Sequence, residues 1–202
     1  MHTYTYLALG DSYTIGESVL LHKSFPYQTV CLLRKAGYNI AAPEIIAKTG
    51  WTTDELEAGI KGFEFLPKYD FVTLLIGVNN QYRGRDIIEY KEQFERLLEK
   101  AIAFAGGKPD HVVVLSIPDY GVTPYAENKQ PEKIAKEIDE YNTLNKAISI
   151  QYKTHYLEIT ESTRKAKTTS GLVAADGLHP SEKEYAKWAK KLVALLKEKI
   201  KK

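Results

Sequence analysis

Three things are scarce in this chain of 202 residues: cysteine, long apolar runs and an excess of charge of one sign. The single cysteine, Cys31, excludes a disulfide within the chain. It stands in the stretch "YQTVCLLRKAG", among apolar residues at helical spacing and with no basic group evident beside it. We therefore expect a buried structural thiol rather than a nucleophile.

No apolar run approaches the ~18 residues that a membrane-spanning helix needs. The first stretch, "MHTYTYLALG", lacks the charged and long apolar regions of a signal peptide, so a cytoplasmic protein is the expectation. The formal net charge is +2 with both signs interspersed, which leaves no electrostatic footprint for nucleic acid. A hydrophobic content of 44% is ordinary for a globular protein, and we expect residues 1–202 to form one domain.

What the chain does contain is a regular alternation of strand-like and helix-like stretches. Strands are predicted at "YTYLALG", "EIIAKTG", "DFVTLLIG", "HVVVLSIP" and "THYLEIT". Amphipathic helices are predicted between these strands and after the last one. Two of the helices start with an expected capping box, Thr52 with Glu55 and Ser181 with Glu184. Such alternation predicts a parallel sheet covered by helices on both faces.

Polar residues follow the carboxyl ends of the predicted strands, where ligands bind in open parallel sheets. Ser12 comes directly after the first strand, Gly50 after the second and Asn79 after the third. Asp176 and His179 lie in "DGLHP", just before the last helix. Because these strand ends meet at one edge of the sheet, the components of a serine acyl-transfer site are expected to lie together.

Each of these residue types has a role in that chemistry. A serine hydroxyl becomes a nucleophile when a neutral imidazole takes its proton, which His179 can do if it faces Ser12. A carboxylate on the other ring nitrogen stabilises the imidazolium, and Asp176 is close enough to supply it. The N–H groups of Ser12 and Gly50 and the Asn79 amide could donate to the oxyanion of the tetrahedral intermediate.

The same residues carry a resemblance to a known family. "GDSY", Gly50 in "AKTGW", "GVNN" and "DGLH" resemble, in order, blocks I, II, III and V of the SGNH (GDSL-type) hydrolases. The resemblance implies a three-layer α/β/α, flavodoxin-like fold and an esterase, lipase or related acylhydrolase with no metal or organic cofactor. It assigns Ser12 as nucleophile and oxyanion donor, Gly50 and Asn79 as further donors, and Asp176 with His179 as the rest of a triad.

Two positions depart from the family pattern. Tyr13 stands where block I more often has leucine, and we expect it to reshape one wall of the site. Asn80 stands where block III commonly has aspartate, which removes a carboxylate that supports the loop. Asp11 is expected to accept hydrogen bonds from loop N–H groups rather than to act as a second catalytic carboxylate.

The natural ester is not readable from the residues. The candidates for the pocket wall are aromatic residues near the strand ends: Tyr13, Trp51, Tyr82, Tyr120 and Tyr125. Residues 119–130 and 161–175, predicted as irregular loops, are expected to shape the pocket. Short acyl groups are favoured because no long apolar lid is evident, while acetylated carbohydrates, lysophospholipids and thioesters stay open. Arg83 and Arg85, which could meet an acidic substrate, are interpreted as solvated loop charges.

Two hypotheses of other classes stay open beside a small-molecule ester hydrolase. "SYTIGES" faintly resembles the phosphate loop of a flavodoxin, which would make the protein an electron carrier that binds flavin mononucleotide. That reading leaves "GVNN" and "DGLH" unexplained, and a yellow colour on purification would identify it. The other hypothesis is a non-catalytic ligand-binding module on the same fold.

Overall fold

The computed structural model describes residues 2–200. Five strands form one sheet: β1 (Tyr6–Gly10), β2 (Glu44–Ala47), β3 (Phe71–Leu75), β4 (Val112–Leu115) and β5 (His155–Leu157). Their order across the sheet is β2-β1-β3-β4-β5, and every pair is parallel. This is the strand order of flavodoxin-like folds, so the predicted fold class is confirmed.

The apolar character of the central strands explains their position. Every residue of β1, β3 and β4 is buried, as expected for strands covered on both faces. In the centre of the sheet Leu9 of β1 pairs with Ile46 of β2 on one side and with Leu74 of β3 on the other. The core therefore continues across the sheet from one helical layer to the other.

The helices form the two outer layers. They are α1 (Ser12–Ile15), α2 (Phe25–Lys35), α3 (Thr53–Ile60), α4 (Val78–Tyr82), α5 (Ile87–Phe104), α6 (Pro131–Gln151), α7 (Thr160–Arg164) and α8 (Glu182–Leu196). Helices α2 and α8 pack together on one face, whereas α5 packs between α3 and α6 on the other. Within residues 2–200, no helix combines the length and apolar character needed to span a bilayer.

The prediction of a buried Cys31 is wrong, because the side chain is exposed. Helix α2, which packs against α8, buries Phe25, Thr29, Val30 and Leu33. With 3.6 residues per turn, position 31 points away from that stripe toward solvent. The apolar neighbours of Cys31 in the sequence belong to another face of the same helix.

One of the two predicted capping boxes forms. At the start of α3 the Thr52 N–H donates to Glu55 Oε2 at 2.9 Å. At the start of α8, however, the Ser181 hydroxyl donates to the carbonyl of Gly171 at 2.7 Å. The buried Glu184 carboxylate instead accepts from Trp188 Nε1 at 2.9 Å. The Gly171 carbonyl outside the helix and the Trp188 indole within it thus replace the capping pair at α8.

The connections of the sheet create a crevice at one edge. From β1 the chain crosses to β2 on one side and then returns to β3 on the other side of β1. The crevice of such folds opens at this switch point, outside the carboxyl ends of β1 and β3. Ser12 follows β1 and Asn79 follows β3, so both residues stand at its edge.

Candidate active site

A tight turn between β1 and α1 carries Ser12. A Cβ on Gly10 would lie 2.1 Å from Thr14 Oγ1 and 2.5 Å from the Leu75 carbonyl oxygen, so only glycine fits there. The Asp11 carboxylate then accepts the Tyr13 N–H at 3.0 Å and caps α1. Ser12 is consequently the first residue of α1, held at the end of the central strand.

The structure brings Ser12, His179 and Asp176 into one chain of hydrogen bonds. The Ser12 hydroxyl lies 3.0 Å from His179 Nε2, and His179 Nδ1 lies 2.6 Å from Asp176 Oδ2. The other carboxylate oxygen, Oδ1, accepts the N–H groups of Leu178 and His179, each at 3.0 Å. Ser12 and His179 are 5% and 8% exposed, so their contact is shielded from water.

A further side chain reaches this network that the sequence did not reveal. The Ser18 hydroxyl donates to Asp176 Oδ2 at 2.6 Å. Partial burial raises the pKa of Asp176, but the hydrogen bonds from Ser18, His179 and the backbone outweigh it and hold that pKa well below its usual range. Ser18 lies 158 positions from Asp176 along the chain, and no local pattern marks the pair.

The segments after β2 and β3 carry Gly50 and Asn79 to the edge of the sheet where Ser12 lies. Gly50 has φ +84°, a left-handed conformation that favours glycine. The Arg83 guanidinium donates to the Gly50 carbonyl at 2.6 Å and also pairs with Glu55 at 3.1 Å. Asn79 Nδ2 donates to the Trp51 carbonyl at 2.9 Å. Arg83 therefore braces the Gly50 turn and is not merely a solvated charge.

Arg85 is also engaged. It pairs with Glu89 at 3.2 Å and with Asp54 at 3.5 Å. These contacts join the start of α5 to α3, so Arg85 is a surface charge paired with two carboxylates.

These residues border a cleft of about 130 Å³. Its lining consists of Ser12, Tyr13, Thr49, Gly50, Val78, Asn79, Tyr82, Tyr120, Tyr125, Leu178 and His179. The expectation for Trp51 is wrong, because its indole ring lies against Gly59 of α3, where a Cβ would come within 2.2 Å of the ring. Gly59 leaves room for the large ring, which turns away from the cleft.

Both departures from the family pattern have a structural consequence. The ring of Tyr13 meets the imidazole of His179 edge-on, with centroids 5.6 Å apart, and forms part of the cleft wall. Asn80 Oδ1 accepts the Thr53 N–H at 3.1 Å, and its Nδ2 donates to Thr53 Oγ1 at 2.7 Å. An amide thus supports the loop before α3 through both of its polar atoms.

Of the two segments expected to shape the pocket, only one does. Residues 119–130 contain two short 3-10 helices, Tyr120–Val122 and Pro124–Ala126, and contribute Tyr120 and Tyr125 to the cleft. Residues 161–175 were predicted as a loop, but α7 and a 3-10 helix, Lys165–Lys167, occupy the first half. Leu172 and Val173 border a separate cavity of about 20 Å³.

A larger groove of about 760 Å³ lies beside residues 119–130. Its Arg164 is already bound, at 2.9 Å to Asp119 and at 2.8 Å to Asp139. Its lining includes neither Ser12 nor His179. The smaller cleft is therefore the candidate active site.

The candidate site contains no evident metal position. Among residues 2–200, no three histidine, cysteine, aspartate or glutamate side chains cluster so that they could hold a metal ion. Asp11, next to Ser12, is 1% exposed, and burial raises its pKa from 3.8 to about 7 against the opposing hydrogen bond from the Tyr13 N–H. It accepts a loop N–H, as expected.

The comparison with protein families agrees with this arrangement. The sequence model of the GDSL-like lipase/acylhydrolase family matches residues 8–187. This chain belongs to the GDSL-like lipase/acylhydrolase family. The predicted family and enzyme class are thereby confirmed, and the flavodoxin hypothesis loses its basis. No curated protein sequence matches this acylhydrolase significantly.

Solved structures show the same fold. The crystal structure of TesA superposes with a TM-score of 0.76 at 19% identity, covering 97% of this acylhydrolase and 99% of TesA. The lipase/acylhydrolase from Enterococcus faecalis gives 0.74 at 19% identity, covering 98% of each chain. Axe2, an acetylxylan esterase from Geobacillus stearothermophilus, gives 0.70 at 19% identity, covering 98% of this chain and 95% of Axe2. At these identities the similarity establishes the fold.

Proposed function

We propose that this GDSL-like acylhydrolase cleaves carboxylic esters with short acyl groups through an acyl-enzyme on Ser12. The observation that carries the proposal is the continuous chain of hydrogen bonds from Ser12 through His179 to Asp176 at the wall of a small cleft. Nucleophile, base and orienting carboxylate within hydrogen-bond reach are the arrangement that serine acyl transfer requires.

In the first half of the reaction, Ser12 Oγ attacks the ester carbonyl carbon while His179 Nε2 takes the hydroxyl proton. Asp176 holds the Nδ1–H of His179 and stabilises the imidazolium. The N–H groups of Ser12 and Gly50 and the Asn79 amide donate to the oxyanion. The intermediate collapses, the carbon–oxygen bond to the alcohol breaks, and His179 returns the proton to the departing alkoxide.

In the second half, water replaces the alcohol. His179 takes a proton from the water as its oxygen attacks the acyl carbon bound to Ser12. The second tetrahedral intermediate expels Ser12 Oγ, which regains its proton from His179, and the carboxylic acid leaves. The histidine thus acts as base and acid in each half, and the serine is regenerated.

The size of the cleft supports a short acyl group. At about 130 Å³ the cleft is small beside the roughly 300–1,000 Å³ of ordinary ligand pockets. The buried rings of Tyr13 and Tyr120 and the side chain of Val78 close its inner part. The similar structure Axe2 is an acetylxylan esterase, and an acetyl group fits a cleft of this size.

The test is hydrolysis of p-nitrophenyl esters from acetate to long acyl chains by the wild type, Ser12→Ala and Ser170→Ala. Ser170 is exposed and lies outside the cleft, so its variant controls for loss of a hydroxyl. We expect a maximum at acetate to butyrate, loss of turnover in Ser12→Ala and wild-type turnover in Ser170→Ala. A p-nitrophenyl phosphonate should react with Ser12 alone: the Ser12 Oγ–P bond forms, p-nitrophenolate leaves, and the protein gains the mass of the phosphonyl group.

Two results would contradict this proposal. Turnover that survives in Ser12→Ala would exclude the serine mechanism. A wild type that neither hydrolyses any ester nor reacts with the phosphonate would instead favour the non-catalytic binding module.

A further inference from the structure

Three side chains at the mouth of the cleft form a unit that we name the tyrosine–lysine rim: Tyr82, Tyr125 and Lys129. The two tyrosine hydroxyl groups are 2.8 Å apart and share a hydrogen bond. The Lys129 ammonium lies 4.7 Å from the centre of the Tyr82 ring and 4.2 Å from that of Tyr125. It also donates to the Tyr82 hydroxyl at 3.4 Å.

The rim lies where the part of a substrate outside the cleft has to rest. Tyr13 and Tyr120 are 3% and 5% exposed and form the inner wall, whereas Tyr82 and Tyr125 are 49% and 41% exposed. The cleft is small, at about 130 Å³, and the exposed rings of Tyr82 and Tyr125 lie on its solvent side. The alcohol portion of an ester bound to Ser12 therefore extends over the exposed rings.

The charge at this place is not neutralised by the protein. The groups that act on the Lys129 ammonium are the two tyrosines, and within residues 2–200 no carboxylate pairs with it. The neighbouring charges of the cleft are engaged: Asp176 with His179 and Ser18, and Arg83 with Glu55. Lys129 thus offers a positive charge to whatever lies on the rim.

We propose that the tyrosine–lysine rim selects esters whose alcohol portion carries an anionic group, with Lys129 as the specificity-determining residue. This inference rests on the proposed ester hydrolysis. Because two rings and a hydroxyl already hold the ammonium, it loses less side-chain freedom on binding an anion than an unrestrained lysine. The planar faces of Tyr82 and Tyr125 add contact area for the body of the alcohol.

The test compares three aryl acetates of similar shape: the acetyl esters of 4-hydroxybenzoate, methyl 4-hydroxybenzoate and 4-(trimethylammonio)phenol. The quantity measured is the ratio of kcat/KM for the anionic ester to kcat/KM for the neutral ester. The two esters differ in chemical reactivity, but this difference is the same for every enzyme variant, so it cancels when the ratio of a variant is divided by that of the wild type. We expect Lys129→Gln to lower this ratio about five-fold, the size of a single charge contact near water. Lys129→Glu should reverse the preference toward the cationic ester.

A matched control removes a lysine of the same charge elsewhere. Lys136 is exposed on α6 and outside the lining of the cleft, so Lys136→Gln should keep the wild-type ratio. The discrimination should also fall as salt shortens the screening length from about 30 Å to about 3 Å. The inference would be overturned if both Lys129 variants kept the wild-type ratio of kcat/KM for the anionic and neutral esters. It would also be overturned if Lys136→Gln changed this ratio as much as Lys129→Gln does. Absence of Ser12-dependent turnover on all three esters would refute the proposed function and the inference with it.

A different observation concerns the carboxylate of the hydrogen-bond chain. The Ser18 hydroxyl and His179 Nδ1 both lie 2.6 Å from Asp176 Oδ2, while two backbone N–H groups hold Oδ1. Ser18 has φ +63°, a left-handed conformation that is uncommon outside glycine, asparagine and aspartate. Such conformations are retained where the surroundings require them, often beside functional groups.

We infer that Ser18 is a positioning residue that holds the Asp176 carboxylate in the orientation in which Oδ2 faces His179 Nδ1. Like the first inference, this one presupposes the proposed ester hydrolysis. Without the Ser18 donor, the carboxylate keeps more of its negative charge and stabilises the imidazolium more strongly. The acidic limb of the kcat/KM profile should therefore move to higher pH, which a purely structural role would not cause.

Two variants separate the hydroxyl from the backbone. Ser18→Gly accepts the left-handed conformation and loses the hydroxyl, whereas Ser18→Ala loses the hydroxyl and keeps the backbone penalty. We expect both to lower kcat about ten-fold, the low end for a charge-assisted hydrogen bond that water partly replaces, with KM little changed. Wild-type kcat in Ser18→Gly, or a loss without a shift of the acidic limb, would overturn the inference.

Discussion

Replacing Asp11 with asparagine should stabilise the folded protein increasingly as the pH rises. Asp11 is 1% exposed, and within residues 2–200 its Oδ2 has no hydrogen-bond partner. Burial raises the pKa of this carboxyl to about 7, and the hydrogen bond from the Tyr13 N–H only partly opposes burial. The folded protein therefore has to bury a negative charge above that pH.

The magnitude follows from the two pKa values. The unfolded chain releases the Asp11 proton near the ordinary pKa of 3.8, whereas the folded protein retains it to about pH 7. Between these values the folded state binds more protons, so its stability falls as pH rises. A difference of about three pKa units is worth about 4 kcal/mol in the free energy of unfolding. An asparagine side chain does not ionise in this range, so the free energy of unfolding of Asp11→Asn does not include this fall with pH.

The assay is urea unfolding, followed by tryptophan fluorescence, of the wild type and Asp11→Asn between about pH 4 and about pH 8. The advantage of the variant should grow by about 4 kcal/mol across this range and level off above pH 7. Asp86→Asn is the matched control, because Asp86 caps α5 from an exposed position by accepting the Ile88 N–H. A difference between wild type and Asp11→Asn that is constant with pH would refute the reasoning.

Three other variants or modifications test the remaining assignments. Asp176→Asn should lower kcat by about 10⁴, because the two backbone N–H groups retain the amide oxygen and leave the amide nitrogen, a donor, facing His179 Nδ1, which favours the wrong imidazole tautomer; esterase kinetics at wild-type level would contradict this. Asn79→Ala should lower kcat by about 10²–10³ with KM little changed if its amide donates to the oxyanion, whereas a change confined to KM would point to ground-state binding. Cys31 should react with a thiol reagent in the native protein at the rate of an exposed thiol and without loss of esterase activity. Slow labelling would contradict the exposure of this side chain and indicate a buried thiol.

The sheet was predictable because its signals are local. Val112, Val113 and Val114 form an apolar, β-branched run that suits a strand covered on both faces, and β4 lies there. Gly10 and Gly50 mark strand ends where a close approach or a positive φ requires glycine. Ser12, Asn79 and His179 were predicted to lie together because strand ends in a parallel sheet converge on one edge, and all three line the cleft.

Other features depended on which face of an element meets which neighbour. Cys31 is exposed although its neighbours in the sequence are apolar, because tertiary packing selects which stripe of α2 is buried. Trp51 turns toward Gly59, where the missing side chain leaves space for its ring. The Ser181 hydroxyl donates to the Gly171 carbonyl and does not form the predicted capping box with Glu184. Each outcome is a competition between a local pattern and a tertiary contact.

The sequence by itself determined the alternation of strands and helices, the parallel sheet and the residues that its edge gathers, since all of these follow from periodicity and turn chemistry within short segments. Only the tertiary structure decided how those residues are supported and what surrounds them. Ser18 meets Asp176 across 158 positions, and the Tyr82 hydroxyl meets that of Tyr125 across 43. Such contacts leave no local trace, because they depend on the packing of segments that are distant in the chain.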